Sequence, residues 1–211
     1  MAPIKKSFAT GVMVRALIAT CMCAFAGATA RALDAPEKTI GGLNAQLLDT
    51  MKQAQELGVQ GRYNALAPVL AKTYDIASMS RTAVGQSWDT LQPAQKAAVT
   101  DAFARMMFAT YAKRFDGFSG ESFQIVGITD RAPADKMVKT QIVQSNGKPV
   151  PINYLMRKTG PDWKIVDVYL DGTISELASR RAEFTSILRA GGPDALIASL
   201  RKQGDRLLAE R

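Results

Sequence analysis

The sequence predicts an α+β fold, because the spacing of its apolar residues changes twice along the chain. From residue 39 to residue 115 apolar side chains recur every three or four positions, which is typical of amphipathic helices. Between residues 122 and 170 they alternate with polar ones, which is typical of strands that bury one face. Helical spacing returns after residue 174. We therefore expect N-terminal helices, a curved antiparallel sheet of four to five strands and C-terminal helices, which together enclose an apolar cavity.

The N-terminal half is predicted to form several helices. Ile40, Leu43 and Leu47 begin an apolar face that we expect to end at Gly58. The strongest helix follows, with Thr90 in the N-cap region and Pro93 in the first turn. Its apolar stripe comprises Val99, Phe103, Met106, Met107, Tyr111 and Phe115. Such a stripe is typical of core packing, but flexible Met side chains also suit the wall of an adaptable apolar cavity.

The strands are predicted from alternation and from turn residues. One segment places Val138, Thr140 and Ile142 on one face, and SNGK at residues 145–148 predicts a hairpin turn. The next strand places a second apolar set on one face, Val150, Ile152, Tyr154 and Met156. Pro149 and Pro151 indicate that this strand begins irregularly or at a sheet edge. After the GGP at residues 191–193 breaks the C-terminal helical region, a last helix carries Leu196, Leu200 and Leu207.

Composition excludes several kinds of chemistry. The 211 residues suit one domain with a substantial core and include no histidine. Without histidine there is no Ser-His-Asp or Cys-His nucleophile system and no imidazole metal ligand. No Cys/Asp cluster has the spacing of a metal site, and the glycine pairs lack the spacing of a phosphate-binding loop. We therefore expect neither a metal nor a cofactor.

Residues 1–30 have the features of a cleavable signal peptide. Lys5, Lys6 and Arg15 precede an uncharged apolar run, and the small residues that end at Ala30 form a cleavage site. The run, about 15 residues, is short for a bilayer span of roughly 20 residues. An uncleaved anchor and lipidation at Cys21 are the alternatives. Residues 31–211 are then expected to form a single domain.

Cleavage near Ala30 would change the chemistry of the exported chain. It would remove both cysteines, so that no disulfide could form. It would also leave 24 basic and 19 acidic residues, a net charge of +5. That excess suits an anionic membrane surface or an acidic partner. No run of Lys and Arg is present, so we expect no nucleic-acid partner.

Two carboxylates and a group of arginines remain as candidates for chemistry. Asp167 and Asp171 lie four residues apart on a predicted strand, where paired carboxylates could act as acid and base. Alternatively, Asp171-Gly172 is a turn, and Asp167 pairs with a base such as Arg157 or Lys158 on the neighbouring strand. The arginines, which are Arg180, Arg181 and Arg189, form a solvated helix face, a docking surface or a contact for an anionic headgroup. On balance the residues favour a carrier or binding module over an enzyme.

The C-terminal half carries a more specific pattern. The segment PVPINYLMRKTGPDWKIVDVYLDG, followed by a serine and a helix with RxxF, resembles the MlaC family of periplasmic lipid-binding proteins. The matching positions are Val150, Ile152, Tyr154, Met156, Trp163, Lys164, Ile165, Asp167, Val168, Asp171, Gly172, Ser175, Arg181 and Phe184. Upstream, residues 84–115 resemble the family's G-x-x-W, P-x-Q and F…Y helix. One extra residue before the serine, and RFDGFSGESF at residues 114–123, are closer to the hopanoid-associated HpnM branch.

The resemblance implies a periplasmic shuttle, an auxiliary component of an ABC transport system, that carries phospholipid or hopanoid between inner and outer membranes. It implies a monomer with an inner-membrane lipid transporter, and an outer-membrane complex, as partners. It also implies that no reaction occurs at VDVYLDG. We expect the lipid to contact a set of apolar and aromatic side chains, Phe103, Met107, Tyr111, Ile142, Ile152, Tyr154, Met156, Val168, Leu177 and Phe184. The alternatives are an envelope scaffold without a ligand, associated with a hopanoid transporter, and a small-molecule enzyme that uses Asp167 or Asp171.

Overall fold

The computed structural model describes residues 35–209 and confirms the α+β fold. The signal peptide predicted for residues 1–30 lies outside this range. In chain order the elements are α1 (Ala35–Lys52), α2 (Ala54–Thr73), α3 (Ile76–Val84), a 3₁₀ helix (Gly85–Thr90), α4 (Pro93–Arg114), β1 (Ser122–Ala132), β2 (Asp135–Val143), β3 (Pro149–Thr159), β4 (Asp162–Leu170), β5 (Ile174–Ser175) and α5 (Glu176–Ala209). None of these described helices is both long and apolar enough to cross a bilayer.

The five strands form an antiparallel meander in the order β1-β2-β3-β4-β5. Val138, Tyr154 and Val168 are cross-strand neighbours on adjacent strands, and all three are buried. They belong to the same hydrophobic core as Phe103 of α4 and Leu177 of α5. The helices therefore cover this face of the sheet, and its alternating pattern is the one that the sequence predicts.

The prolines of β3 lie where the strand has a partner on one side only. Pro149 and Pro151 pair with β2, whereas pairing with β4 begins at Ile152, opposite Leu170. The first residues of β3 are thus locally an edge, where a missing backbone N–H is tolerated. This confirms the expectation from the two prolines.

Two predicted helix boundaries are wrong. Gln92, not Thr90, precedes α4, and its backbone N–H donates to the Gln95 side chain at 3.1 Å. Pro93 is the first helical residue, as predicted. Gly58 does not end the first helix, which already stops at Lys52; instead, its φ of 58° kinks α2. Only glycine adopts such an angle without strain, so the chain bends there and then continues as helix.

A buried arginine joins α2 to α4. Arg62 is only 7% exposed, and its guanidinium donates to the carbonyl oxygens of Ala54 and Ala112, both at 2.8 Å. Ala112 lies in the last turn of α4, where carbonyls lack a partner within the helix. The kink at Gly58 interrupts α2 just after Ala54. Arg62 therefore donates hydrogen bonds to two backbone carbonyls that have no partner within their own helices.

We predict that Arg62→Ala lowers the free energy of unfolding by about 2–4 kcal/mol, because two buried carbonyls lose their donors. Urea denaturation measures the change. The control is Arg201→Ala on the exposed face of α5, for which we expect less than about 0.5 kcal/mol. Equal effects of the two substitutions would contradict the bridging role of Arg62.

Candidate functional site

A mainly apolar cavity of about 120 Å³ lies between the sheet and the helices. Its walls come from the end of α2, from α3, α4 and the first turns of α5, and from β3 and β4. The lining residues are Tyr74, Met79, Phe103, Met106, Met107, Thr110, Tyr111, Arg114, Phe115, Ile152, Tyr154, Val168, Leu170, Glu176, Leu177 and Arg180.

Seven of the ten side chains expected to contact a lipid line this cavity. They are Phe103, Met107, Tyr111, Ile152, Tyr154, Val168 and Leu177. The other three lie elsewhere. Met156 and Phe184 are fully buried in the core, although the Phe184 ring packs edge-on against Phe103 at 6.1 Å and so supports the wall. Ile142 is half-buried on β2 and does not line the cavity. Lipid contact by the ten residues stays a prediction.

Sequence reasoning missed several lining residues for two reasons. Met106 and Phe115 belong to the predicted stripe of α4, but periodicity alone does not separate the residues that face the cavity from those that pack in the core. Tyr74 reaches the cavity through a tertiary contact, since the neighbouring Asp75 N–H donates to the Ile165 carbonyl of β4 at 2.9 Å. No local pattern encodes that contact between the end of α2 and the sheet.

Three tyrosine hydroxyls form a polar cluster within the apolar wall. The hydroxyls of Tyr74 and Tyr111 are hydrogen-bonded to each other, and Tyr154 lies close enough to interact electrostatically with Tyr111. Burial raises the pKa of Tyr111 to about 12, and burial raises the pKa values of Tyr74 and Tyr154 well above 10. All three hydroxyls therefore stay protonated and neutral at physiological pH.

The charged part of the lining marks where the cavity opens to solvent. Arg114 is exposed, and Glu176 and Arg180 are partly exposed, whereas Phe103, Leu177 and the other deep residues are buried. An aromatic row continues from the lining, where Tyr111 is stacked on Phe115 at 5.6 Å and Phe115 lies 6.2 Å from Phe123. We call the surface formed by Arg114, Glu176 and Arg180 the mouth.

Asp167 has a structural role at the corner between the sheet and α5. Its buried carboxylate accepts hydrogen bonds from Ser175 Oγ at 2.6 Å and from the backbone N–H of Leu177 at 3.2 Å. Ser175 Oγ in turn accepts from the Ala178 N–H at 3.0 Å, so that Ser175 caps α5. The network fixes the start of the helix that carries Leu177, Glu176 and Arg180 to the cavity.

The expected partners of Asp167 are therefore wrong. Arg157 instead forms a bidentate pair with Asp135, with N–O distances of 2.7 Å. That pairing holds the pKa of the Asp135 carboxyl below its usual range. Lys158 is exposed and opposite Trp163 on β4. Besides the N–H of the adjacent Val168, at 2.8 Å, Asp167 finds its donors beyond its own strand, because the chain folds back through β5.

Asp171 does not form a catalytic pair with Asp167. Strand β4 ends at Leu170, and Asp171 lies in the following turn with a φ of 47°. Its side chain is exposed, while that of Asp167 is buried. Asp171-Gly172 thus forms a turn, which is the alternative to a catalytic pair that the sequence analysis offers. Among residues 35–209 no group of His, Cys, Asp and Glu could hold a metal ion.

Helices α4 and α5 lie over an antiparallel meander with an apolar cavity between them, an arrangement that can shelter an apolar ligand. A family profile described as MlaC protein matches residues 42–202, so the chain belongs to the MlaC family. The same fold occurs in a phospholipid-binding protein from Ralstonia solanacearum, whose structure was solved in complex with a phospholipid. The TM-score is 0.73 at 21% sequence identity, over 83% of this chain and 99% of that one.

We predict that Asp167→Ala lowers the free energy of unfolding by about 2–4 kcal/mol, because the Leu177 N–H and the Ser175 hydroxyl lose a shared acceptor. Urea denaturation provides the measurement. The matched control is Asp171→Asn, which we expect to change stability by less than about 0.5 kcal/mol, since Asn tolerates the left-handed conformation. A larger loss at Asp171 than at Asp167 would contradict the structural assignment.

A pH titration tests the burial of Tyr111. Its pKa is raised in the folded protein to about 12, so the unfolded chain loses the proton first as the pH rises. The stabilisation is complete below about pH 10 and falls between about pH 10 and 12. We expect Tyr111→Phe to reduce this loss of stability, measured by urea denaturation across that range. Identical pH dependence in the variant and the original protein would contradict the shift.

Proposed function

We propose that the protein is a periplasmic lipid carrier, which holds a phospholipid or hopanoid in the cavity and moves it between the inner and outer membranes. The main support for this proposal is the apolar cavity between the sheet and α4–α5, in a chain that belongs to the MlaC family. The phospholipid complex of the Ralstonia solanacearum protein, which shares the fold, supports the same ligand class.

The cavity supplies what a lipid tail requires. Removal of a tail from water is favourable by about 0.8 kcal/mol per buried CH₂ group. Phe103, Val168 and Leu177 offer apolar contact to such a tail. A binding site of this kind stabilises the ligand by burial and leaves it chemically unchanged. We therefore propose a carrier and not an enzyme.

Loading requires the cavity to widen. Its volume of about 120 Å³ is below the roughly 300–1,000 Å³ of typical ligand sites. The lining includes Met79, Met106 and Met107, whose unbranched side chains can change rotamer at little cost. We propose that rotamer changes of these methionines let the walls separate around a tail.

The proposal includes an export route and partners. A cleaved signal peptide over residues 1–30 would deliver residues 31–211 to the periplasm as a monomer. An inner-membrane lipid transporter and an outer-membrane complex would then load and unload the carrier. The signal-peptide pattern in the sequence of residues 1–30 and membership of the MlaC family support this route.

A cavity-filling substitution tests the site. We predict that Met107→Trp lowers the fraction of protein that carries lipid at least several-fold, because the indole occupies space that the tail needs. The protein is purified from a periplasm and examined by native mass spectrometry, followed by lipid extraction. The control is Ala97→Trp, an exposed position on the same helix, which we expect to keep its lipid.

The two possible outcomes are distinct. Lipid bound to the original protein and to Ala97→Trp, but not to Met107→Trp, supports a carrier that uses this cavity. A protein that remains empty after incubation with membrane lipids contradicts the carrier proposal and favours a scaffold without a ligand.

A further inference from the structure

A second, polar groove lies between α5 and the junction of α3 with the 3₁₀ helix. Its volume is about 430 Å³, and none of its described lining residues lines the apolar cavity. That volume is within the roughly 300–1,000 Å³ of typical ligand sites. The lining residues are Val84, Gly85, Gln86, Ser87, Arg181, Thr185, Leu188 and Arg189. The proposed lipid carriage makes no use of this groove.

One wall of the groove contains two arginines of α5. Arg181 is held in place, because its Nε–H and an Nη2–H donate to the Thr82 carbonyl at 2.9 and 2.7 Å. Gly85 permits this arrangement, since a Cβ at that position would lie 3.4 Å from the Nε of Arg181. Arg189 follows about two turns later and lines the same groove. The groove therefore has one fixed cation and a second cation further along the helix.

The groove is cationic, and the acidic residues near it are already paired. Its described lining includes the two arginines and no carboxylate. Glu183 of α5 pairs with Arg180 at 3.0 Å, and Asp89 of the 3₁₀ helix pairs with Arg81 at 3.5 Å. Within residues 35–209 the Arg189 side chain has neither a hydrogen bond nor an ion pair. An anionic ligand would therefore meet guanidinium donors that the described chain leaves open.

The uncharged part of the lining suits a peptide better than a phosphate group. Gln86, Ser87 and Thr185 carry side-chain oxygens that accept hydrogen bonds as well as groups that donate them. A peptide backbone offers both N–H and C=O groups, whereas an ionised phosphate offers acceptors only. The buried Val84 and the half-buried Leu188 add apolar surface on which an aliphatic side chain can pack. The lining therefore matches a polypeptide segment with acidic and aliphatic residues.

We infer that this groove docks an extended acidic segment of a partner protein, whose carboxylates bind Arg181 and Arg189. Guanidinium forks form bidentate, charge-assisted hydrogen bonds with carboxylates. The two arginines are eight residues apart on α5, which is about 12 Å along the helix axis. An extended chain rises about 3.4 Å per residue, so acidic residues four positions apart span about 13 Å and fit that separation. The inference does not depend on a lipid in the apolar cavity.

A labelled peptide tests the docking groove. The probe is fluorescein-labelled Gly-Glu-Thr-Leu-Thr-Glu-Gly, which has its carboxylates four positions apart, and the control peptide has glutamine in place of both glutamates. Fluorescence polarisation measures binding to the original protein and to Arg189→Gln. We expect the acidic peptide to bind at least tenfold more tightly than the control peptide. Arg189→Gln should weaken the acidic peptide about tenfold, the effect of one charge-assisted contact.

Two further variants serve as matched controls. Arg201→Gln removes the same charge from an exposed position on α5 that does not line the groove. It should leave the affinity for the acidic peptide within about twofold. Arg189→Lys keeps the charge but loses the planar fork, and should recover part of the affinity. Equal losses in Arg201→Gln and Arg189→Gln would indicate general electrostatic attraction and overturn the inference.

The remaining outcomes separate this inference from the proposed function. Failure of the acidic peptide to bind, or equal binding of both peptides, would overturn the docking groove. Binding to phosphatidylglycerol vesicles that requires Arg189, without discrimination between the peptides, would assign the groove to a membrane surface and also overturn it. We expect Arg189→Gln to retain bound lipid in native mass spectrometry, and loss of lipid would contradict a separate site. Binding of no lipid by the original protein would instead contradict the carrier proposal alone.

Discussion

The buried carboxylate of Asp167 holds the corner on which the cavity depends. It ties β4 to Ser175 and to the first turn of α5, so that the long C-terminal helix starts at a fixed place beside the sheet. The same turn carries Glu176 and Leu177, and Arg180 follows one turn later. Without these hydrogen bonds the start of α5 would not be held beside β4, and neither the cavity wall nor the mouth would have a fixed position. Asp167, which the sequence suggests as a catalytic candidate, thus has a structural role, because it positions other residues around the cavity.

The cavity combines a firm framework with adjustable walls. Val138, Tyr154 and Val168 are fixed by three paired strands, and Phe103 is held by Phe184 behind it. By contrast, the methionines of α3 and α4 can change rotamer and so leave room for change on the helical side. The proposed carrier would need this division, because it would have to shelter the bound tail from water and yet release it to a partner.

How far the sequence predicts this structure depends on whether the information is local. Alternation in the strands and the stripe of α4 are local, and Tyr111, Ile152 and Tyr154, which these patterns select, line the cavity. The place of Tyr74 depends on a bridge between the end of α2 and β4, which no local pattern contains. Met156 has the same alternation as Tyr154 but lies in the packed core, because depth depends on the helices above the sheet. The hydrogen-bond partners of Asp167 likewise come from residues that the turn after β4 brings back.

In the proposed carrier a lipid tail occupies the cavity lined by the methionines of α3 and α4. Nuclear Overhauser contacts between methyl-labelled methionines and the acyl chain of a bound lipid would locate that tail. We expect contacts to Met79, Met106 and Met107, and none to Met51 or Met137, which are buried away from the cavity. Contacts to Met51 or Met137 without contacts to Met107 would place the lipid elsewhere in the protein and rule out binding in this cavity.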